Sequence, residues 1–141
     1  MGSVLAVDYG LKHVGIAISD AEKKFAFPLI MIENKGDKYL IEEIKKIVEE
    51  KEAETIVIGF PLNMDKTKSK MTESVENFVA KLKTTISVSV VTIDERLTSF
   101  AAEENLRECN MSTKKMKKYV DIEAARLILE KYLDEFHASS K

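Results

Sequence analysis

Cysteine and histidine are scarce in this chain, and their scarcity excludes two ways of holding a small protein together. The single cysteine, Cys109, cannot form an internal disulfide, which favours a reducing, cytosolic setting. The two histidines, His13 and His137, are far apart in the sequence and cannot assemble a zinc cluster with one cysteine. We therefore expect neither disulfides nor structural zinc.

Long apolar runs and an excess of positive charge are also missing. No run approaches the roughly 20 apolar residues needed to cross a bilayer, and the first residues, MGSVLAVD, lack the basic segment that begins a signal peptide. The formal net charge of −2 argues against a wholly basic nucleic-acid coat protein, but it leaves room for a local basic patch. We therefore expect a cytoplasmic protein that does not enter a membrane.

Internal repeats, low-complexity tracts and linkers are absent from the 141 residues. A chain of this length can bury one sizeable core and is too short for two ordinary domains. We predict a single domain over residues 1–141. What the sequence does contain is a series of short apolar runs separated by polar turns.

Three apolar runs open the chain and predict an antiparallel meander. Leu5–Val7 and Val14–Ile18 flank a short polar turn, and the first run is apolar on both faces, as in a central strand. Ala26–Ile32 contains Pro28 and is predicted to lie at an edge, because a central strand would need the missing N–H. A helix capped by Asp37 follows.

The second half of the chain alternates strands with helices. Thr55–Gly59 and Val88–Ile93 are predicted to be inner strands parallel to the first, and helical spacing of apolar residues indicates helices at Val75–Leu82 and Val120–Phe136. A short helix is predicted soon after the fifth strand. The fold class is therefore α/β, with a central mixed five-stranded sheet, an antiparallel meander continuing into parallel strands, and helices on both faces.

Two acidic residues stand where predicted inner strands end. Asp8 follows the first strand and Glu95 follows the fifth, and because these strands are predicted to run parallel, both leave the sheet at one end. Taken alone, Asp8 is equally consistent with ordinary turn chemistry. Glu95 alone is better explained as a member of the local charge cluster Asp94-Glu95-Arg96.

The last helix adds a third carboxylate. Ala124 and Ala125 belong to its apolar stripe, and extending that stripe backwards by three and four residues reaches Asp121. The helix dipole favours an Asp in the first turn by about 0.3–1 kcal/mol, but it does not explain an Asp on the face toward the core. We expect Asp121 to lie against the strand ends that carry Asp8 and Glu95.

Three converging carboxylates repel one another unless a cation binds between them. Mg²⁺ or Mn²⁺ suits such a site, because hard cations prefer oxygen ligands and Mg²⁺ keeps waters for substrate phosphate. Carboxylate-held metals about 3.5–4 Å apart serve in-line hydrolysis of phosphodiesters. Asp8, Glu95 and Asp121 are therefore the predicted catalytic and metal-holding residues.

Lysines cluster near these acids and predict contacts with a nucleic-acid backbone. Lysine binds phosphate without regard to sequence, although a lysine run is more often a solvated loop. Only Tyr119 is interleaved with the lysines, so base stacking is not indicated. The predicted nucleic-acid-binding residues are Lys12, Lys66, Arg96, Lys114, Lys115, Lys117 and Lys118, with Asn63 in a loop near the site.

Four motifs give the chain a resemblance to a known family. They are D-Y-G-L-K-H-V-G-I-A-I-S-D at Asp8–Asp20, G-F-P-L-N-M-D at Gly59–Asp65, D-E-R-L-T-S at Asp94–Ser99 and K-K-Y-V-D-I-E-A-A at Lys117–Ala125. In these the chain resembles the YqgF family, also called RuvX, of the RNase H-like superfamily. The resemblance implies an RNase H-like fold and the same three acids. Lys66 stands where the family usually has glycine.

The resemblance implies a metal-dependent nuclease that acts in maturation of pre-16S ribosomal RNA. The alternatives are a Holliday junction resolvase acting on branched DNA and a non-catalytic nucleic-acid-binding or transcription factor. A resolvase would be expected to dimerise, because two symmetric cuts need two sites; monomer and homodimer both remain open. A phosphotransferase of the actin, Hsp70 or sugar-kinase type shares the hairpin, but it would need a second domain that 141 residues cannot supply.

Overall fold

Five strands and three helices make up the described part of the chain. The structure, a computed structural model, describes residues 2–61, 70–95 and 113–139, with side chains described over 2–60, 70–94 and 119–137. The elements are β1 (Ser3–Asp8), β2 (His13–Ser19), β3 (Ala26–Glu33), α1 (Asp37–Lys51), β4 (Ala53–Pro61), α2 (Lys70–Thr85), β5 (Ser89–Glu95) and α3 (Thr113–Ser139). The short helix predicted after the fifth strand lies outside the described residues.

The strands form one mixed sheet in the order β3-β2-β1-β4-β5. β1 pairs antiparallel with β2, and β2 pairs antiparallel with β3. β4 runs parallel to β1, and β5 runs parallel to β4. The predicted mixed sheet is therefore confirmed, and the predicted edge position of the strand with Pro28 is confirmed by the place of β3.

β1 is buried along its whole length because its side chains face two separate cores. Leu5 and Val7 pack with α1 and α2 on one face, around the fully buried Phe78. Val4 and Ala6 point to the other face, where α3 covers them. Helices therefore lie on both faces of the sheet, as predicted.

β5 departs from the prediction, because it is an edge strand and not an inner one. Val91 in its middle is exposed, and Glu95 is the last residue of the strand and not a residue beyond it. The apolar run Val88–Ile93 does not distinguish the two positions, because it includes two polar residues and the number of neighbouring strands is a long-range property. The parallel direction of the strand is as predicted.

α3 begins at Thr113, seven residues before the predicted start at Val120. The lysine-bearing segment before Val120 is thus helical from Thr113 onward. Lysine and methionine are good helix formers, and glycine and proline are absent from 113–139, so nothing local stops the helix. Asp121 is consequently the ninth residue of α3, and a helix-dipole effect confined to the first turn does not account for it.

The start of α1 also differs from the prediction. Gly36, with a φ of 115°, is the N-cap, and Asp37 is the first residue inside the helix. No side chain among those that the structure describes makes a capping hydrogen bond at this helix start. That backbone conformation favours glycine. The carboxylate of Asp37 has other partners, which concern the candidate site.

Among residues 2–61, 70–95 and 113–139, none of the helices combines the length and the apolar character that a membrane span requires.

Candidate active site

The pairing of β1 and β2 places Asp8 opposite the strand position on which the backbone of α3 rests. Asp8, the last residue of β1, lies opposite Gly15 in the antiparallel register. A Cβ atom added to Gly15 would overlap the backbone carbonyl of Asp121 and would lie 2.8 Å from the amide nitrogen of Ile122. The backbone of α3 at Asp121 therefore rests directly on the strand position that faces Asp8.

Strand alternation places both carboxylates on one face of the sheet. Val4 and Ala6 belong to the core beneath α3, so Asp8, two residues beyond Ala6, occupies that face as well. Asp8 is buried, with 9% of its surface exposed. The backbone positions of Asp8 and Asp121 thus lie near each other at the carboxyl end of β1, and their joint role in holding a metal stays a prediction.

Position 95 lies on the same face and the same end of the sheet. Ile93 belongs to the core beneath α3, and alternation assigns Glu95, two residues further, to that face. Lys131 of α3 donates to the carbonyl of Asp94 at 2.7 Å, so the helix also contacts the end of β5. The side chain of Glu95 lies outside the described side chains, and its role as third acid stays a prediction.

Burial sets the electrostatics of Asp121. The residue is partly buried, and loss of solvent raises the pKa of its carboxyl above the ordinary value, while the nearby His13 acts in the lowering direction. Ionised Asp121 is therefore costly in the metal-free protein. A divalent cation would remove that cost.

The donor set fits a hard cation. Asp8 is buried and Asp121 is partly buried, and both offer carboxylate oxygens, which are the ligands that Mg²⁺ and Mn²⁺ prefer. Among the side chains that the structure describes, no three His, Cys, Asp or Glu residues form a metal-binding group. A complete metal centre thus requires a ligand beyond these two, and position 95 is at the right edge and face.

A clamp that the sequence did not reveal holds the backbone after Asp8. The hydroxyl of Tyr9 donates to Asp37 at 2.9 Å, and Lys81 of α2 pairs with the other oxygen of Asp37 at 3.0 Å. The Tyr9 ring also packs on Phe78, with centroids 4.8 Å apart. Burial, reinforced by the bond to Asp37, raises the pKa of Tyr9.

A second clamp fixes the β1–β2 turn. The side-chain amide of Asn34 donates to the carbonyl of Gly10 at 2.7 Å, and its backbone N–H donates to the carbonyl of Lys12 at 2.8 Å. The exposed side chain of Lys12 therefore projects from an anchored turn near Asp8. The only sequence signal for either clamp is the Asn34–Asp37 turn preceding a helix.

The remaining predicted nucleic-acid contacts are placed only in part. The helix positions of Lys114, Lys115, Lys117 and Lys118 fall in the first two turns of α3, before the buried stripe that starts at Ala124; their side chains are not among those described. Asn63, Lys66 and Arg96 lie outside the described residues.

Most of the chain matches a known family. Residues 2–135 match the family model described as "RuvX: Holliday junction resolvase". The chain belongs to the RuvX family. A RuvX relative from Maridesulfovibrio salexigens is 40% identical over 130 residues, covering 92% of this chain and 96% of the relative. Another, from Endomicrobium trichonymphae, is 39% identical over 135 residues, covering 95% and 96%. Both are named "Putative pre-16S rRNA nuclease".

Solved structures confirm that this RuvX chain has an RNase H-like fold. T. thermophilus RuvC in complex with a Holliday junction substrate is similar with a TM-score of 0.58 and 13% identity, covering 91% of this chain and 92% of that one. The Fowlpox virus resolvase with Holliday junction DNA is similar with a TM-score of 0.58 and 12% identity, covering 95% and 98%. At these identities the similarity establishes the fold alone.

Proposed function

We propose that this chain is a metal-dependent nuclease that hydrolyses phosphodiester bonds during maturation of pre-16S ribosomal RNA in the cytoplasm. The observation that carries the proposal is the contact of the Asp121 backbone with Gly15, opposite Asp8, because it brings the positions of two predicted metal-holding acids to one end of the sheet. The names of the RuvX relatives support the RNA substrate. Residues 1–141 would form one nuclease domain.

Asp8, Asp121 and Glu95 would hold Mg²⁺ or Mn²⁺. When bound, the metal supplies charge stabilisation at the phosphate and lowers the pKa of a water ligand. The chain's own contribution is to orient the ligands. β-sheet pairing fixes Asp8, the packing of α3 on β2 fixes Asp121, and the end of β5 presents position 95.

Basic residues around the acids would bind the nucleic-acid backbone. The lysine-bearing turns of α3 precede the part of the helix that packs on the sheet. They lengthen the helix at its N-terminal end by about 12 Å. Lys12 projects from the clamped turn close to Asp8. Substrate phosphates would lie between these two groups, joined by Lys66 and Arg96, with Asn63 nearby.

Branched DNA is the second candidate substrate. The family description names a Holliday junction resolvase, and both solved structures similar in fold were determined with, or named for, such junctions. A resolvase of this kind would act as a homodimer, since two symmetric cuts need two sites. An RNA-processing enzyme can act as a monomer.

A matched cleavage assay tests the proposal. Precursor rRNA fragments and four-way DNA junctions are incubated with wild type and with Asp8→Asn, with and without Mn²⁺. We expect Mn²⁺-dependent cleavage of the RNA that Asp8→Asn abolishes. Asp20→Asn is the control, because Asp20 lies in the same motif but accepts the N–H groups of Lys24 and Phe25 beyond the other end of β2.

The other outcomes separate the alternatives. Cleavage of junctions alone would identify a resolvase. No cleavage of either substrate by wild type in Mn²⁺ would leave the non-catalytic nucleic-acid-binding factor.

A further inference from the structure

Gly15 lies between the two described acids of the candidate site. We propose that Gly15 is a positioning residue: its lack of a side chain lets α3 rest on β2 so that Asp121 and Asp8 could bind one metal together. This inference rests on the proposed function. It gives a reason for a glycine in the middle of a buried strand, where glycine otherwise weakens the strand.

The contact at Gly15 is between backbones. An added Cβ would overlap the carbonyl oxygen and carbon of Asp121 and would lie 2.8 Å from the nitrogen of Ile122. Flexible side chains can rotate away from such an overlap, but a helix backbone cannot. Real Cβ atoms are essentially never within 3.0 Å of another group, so α3 would have to move away from β2.

The same face of β2 keeps α3 close further along. Ala17, the next residue on this face, is fully buried and packs in one core with Ala125 and Leu129. A methyl group separates strand from helix there, and at Gly15 nothing does. The helix is therefore held by side-chain packing at Ala17 and makes direct backbone contact at Asp121.

Displacement of α3 would move Asp121 relative to Asp8 and so weaken the binding of a metal between them. Metal ligands must be held within about 0.5 Å of their productive positions. Asp8 stays in the sheet when α3 moves, whereas Asp121 moves with the helix. Loss of a group that orients a ligand typically weakens metal binding about 10- to 100-fold.

Gly2 offers a matched control. A Cβ added there would lie 2.5 Å from the carbonyl oxygen of Glu52 and 2.9 Å from the Cβ of Glu54, so it too would strain a backbone contact. Gly2 precedes β1, at the opposite end of that strand from Asp8. Gly2→Ala therefore strains the protein without touching the acids.

The experiment is a calorimetric titration of the full chain with Mn²⁺ alone, together with the Mn²⁺ concentration that half-saturates cleavage. We expect Gly15→Ala to raise the Kd for Mn²⁺ about 10- to 100-fold and to raise the half-saturating concentration in parallel. Gly2→Ala should stay within about twofold of wild type, as distant sites are independent. The double variant Gly15→Ala with Asp121→Asn should have the same Kd for Mn²⁺ as Asp121→Asn alone, because both changes act through one carboxylate.

Two results with Gly15→Ala and wild type would overturn the inference. Folded Gly15→Ala protein that binds Mn²⁺ like wild type would overturn it alone and leave the proposed function intact. Wild type that neither binds Mn²⁺ nor cleaves in its presence would overturn the proposed function and, with it, the inference.

A second variant decides the matter if Gly15→Ala does not fold. Ala17→Val adds two methyl groups beneath α3 at a position where side chains already separate helix from strand, next to Ala125, which is one turn from Asp121. We expect this variant to fold and to bind Mn²⁺ several times more weakly than wild type. Unchanged binding by folded Ala17→Val would overturn the inference.

Discussion

The partial burial of Asp121 destabilises the folded, metal-free protein when its carboxyl is ionised. Its pKa is raised in the folded state, so the folded protein binds this proton more tightly than the unfolded chain does. Stability is therefore lost as the pH rises through that raised pKa. An acid that a fold keeps at such a cost is expected to serve binding and not stability.

Asp121→Asn should abolish cleavage and leave the protein in EDTA at least as stable as wild type at neutral pH. The difference in free energy of unfolding between Asp121→Asn and wild type should shrink as the pH falls through the raised pKa of Asp121, because the wild-type carboxyl becomes protonated there. Urea unfolding at several pH values, with cleavage measured in parallel, tests this. A loss of roughly 3–5 kcal/mol with cleavage retained would indicate a broken buried ion pair instead.

In the same experiment, we expect Asp20→Asn to change the stability at neutral pH in the opposite direction from Asp121→Asn. Hydrogen bonds from the backbone N–H groups of Phe25 and Lys24 lower the pKa of Asp20. Wild type should therefore be more stable than Asp20→Asn at neutral pH, and the difference should vanish as the pH falls through the lowered pKa. Cleavage should be unaffected.

Tyr9→Phe should destabilise the protein while keeping the aromatic packing on Phe78. The change removes a hydrogen bond to the carboxylate of Asp37, and such bonds contribute about 1.5–3 kcal/mol. Urea unfolding measures the loss. Tyr39→Phe, on α1, is the control and should stay within about 0.5 kcal/mol of wild type; equal stability of both variants would show that the clamp contributes nothing.

At the scale of the element, α3 is one long helix with two parts. Its buried residues, from Ala124 to Leu133, cover one face of the sheet. The preceding turns carry the lysines. Because these turns are helical, alanine can replace the lysines without disfavouring the backbone conformation.

Replacing Lys114, Lys115, Lys117 and Lys118 with alanine should weaken nucleic-acid binding for all sequences alike. Each lost phosphate contact should lower the slope of log affinity against log salt by roughly 0.7–0.9. Binding measured over a range of salt concentrations gives that slope. A variant with alanine at Lys38, Lys45, Lys46 and Lys51 of α1 removes the same charge elsewhere; equal slopes for the two variants would contradict the assignment.

At the scale of the whole molecule, a metal that binds only the folded chain must stabilise it. At a hundredfold excess of Mn²⁺ over its Kd, we expect a gain of about 2.7 kcal/mol and a higher Tm. Thermal unfolding in EDTA and in Mn²⁺ measures the gain, and Asp8→Asn should remove it. Identical melting of wild type in the two conditions would speak against a metal centre.

Local sequence patterns were enough to predict the elements and two of their relationships. Hydrophobic periodicity is a local property, so apolar runs located all five strands and the helices. A run that is apolar on both faces marked β1 as central, and Pro28 marked β3 as an edge. The positions of Asp8 and Asp121 followed from the same patterns, because strand ends and helix stripes are visible in one dimension.

Contacts between residues distant in the sequence became visible in the folded chain and not before. Nothing local in Val88–Ile93 says that β5 has one partner strand, and nothing near Asp121 says that its backbone rests on Gly15. The bond from Tyr9 to Asp37 likewise joins segments 28 residues apart. These contacts form because burying both faces of β1 forces α3 and the α1–α2 pair onto opposite sides of the sheet, and that packing sets which residues meet.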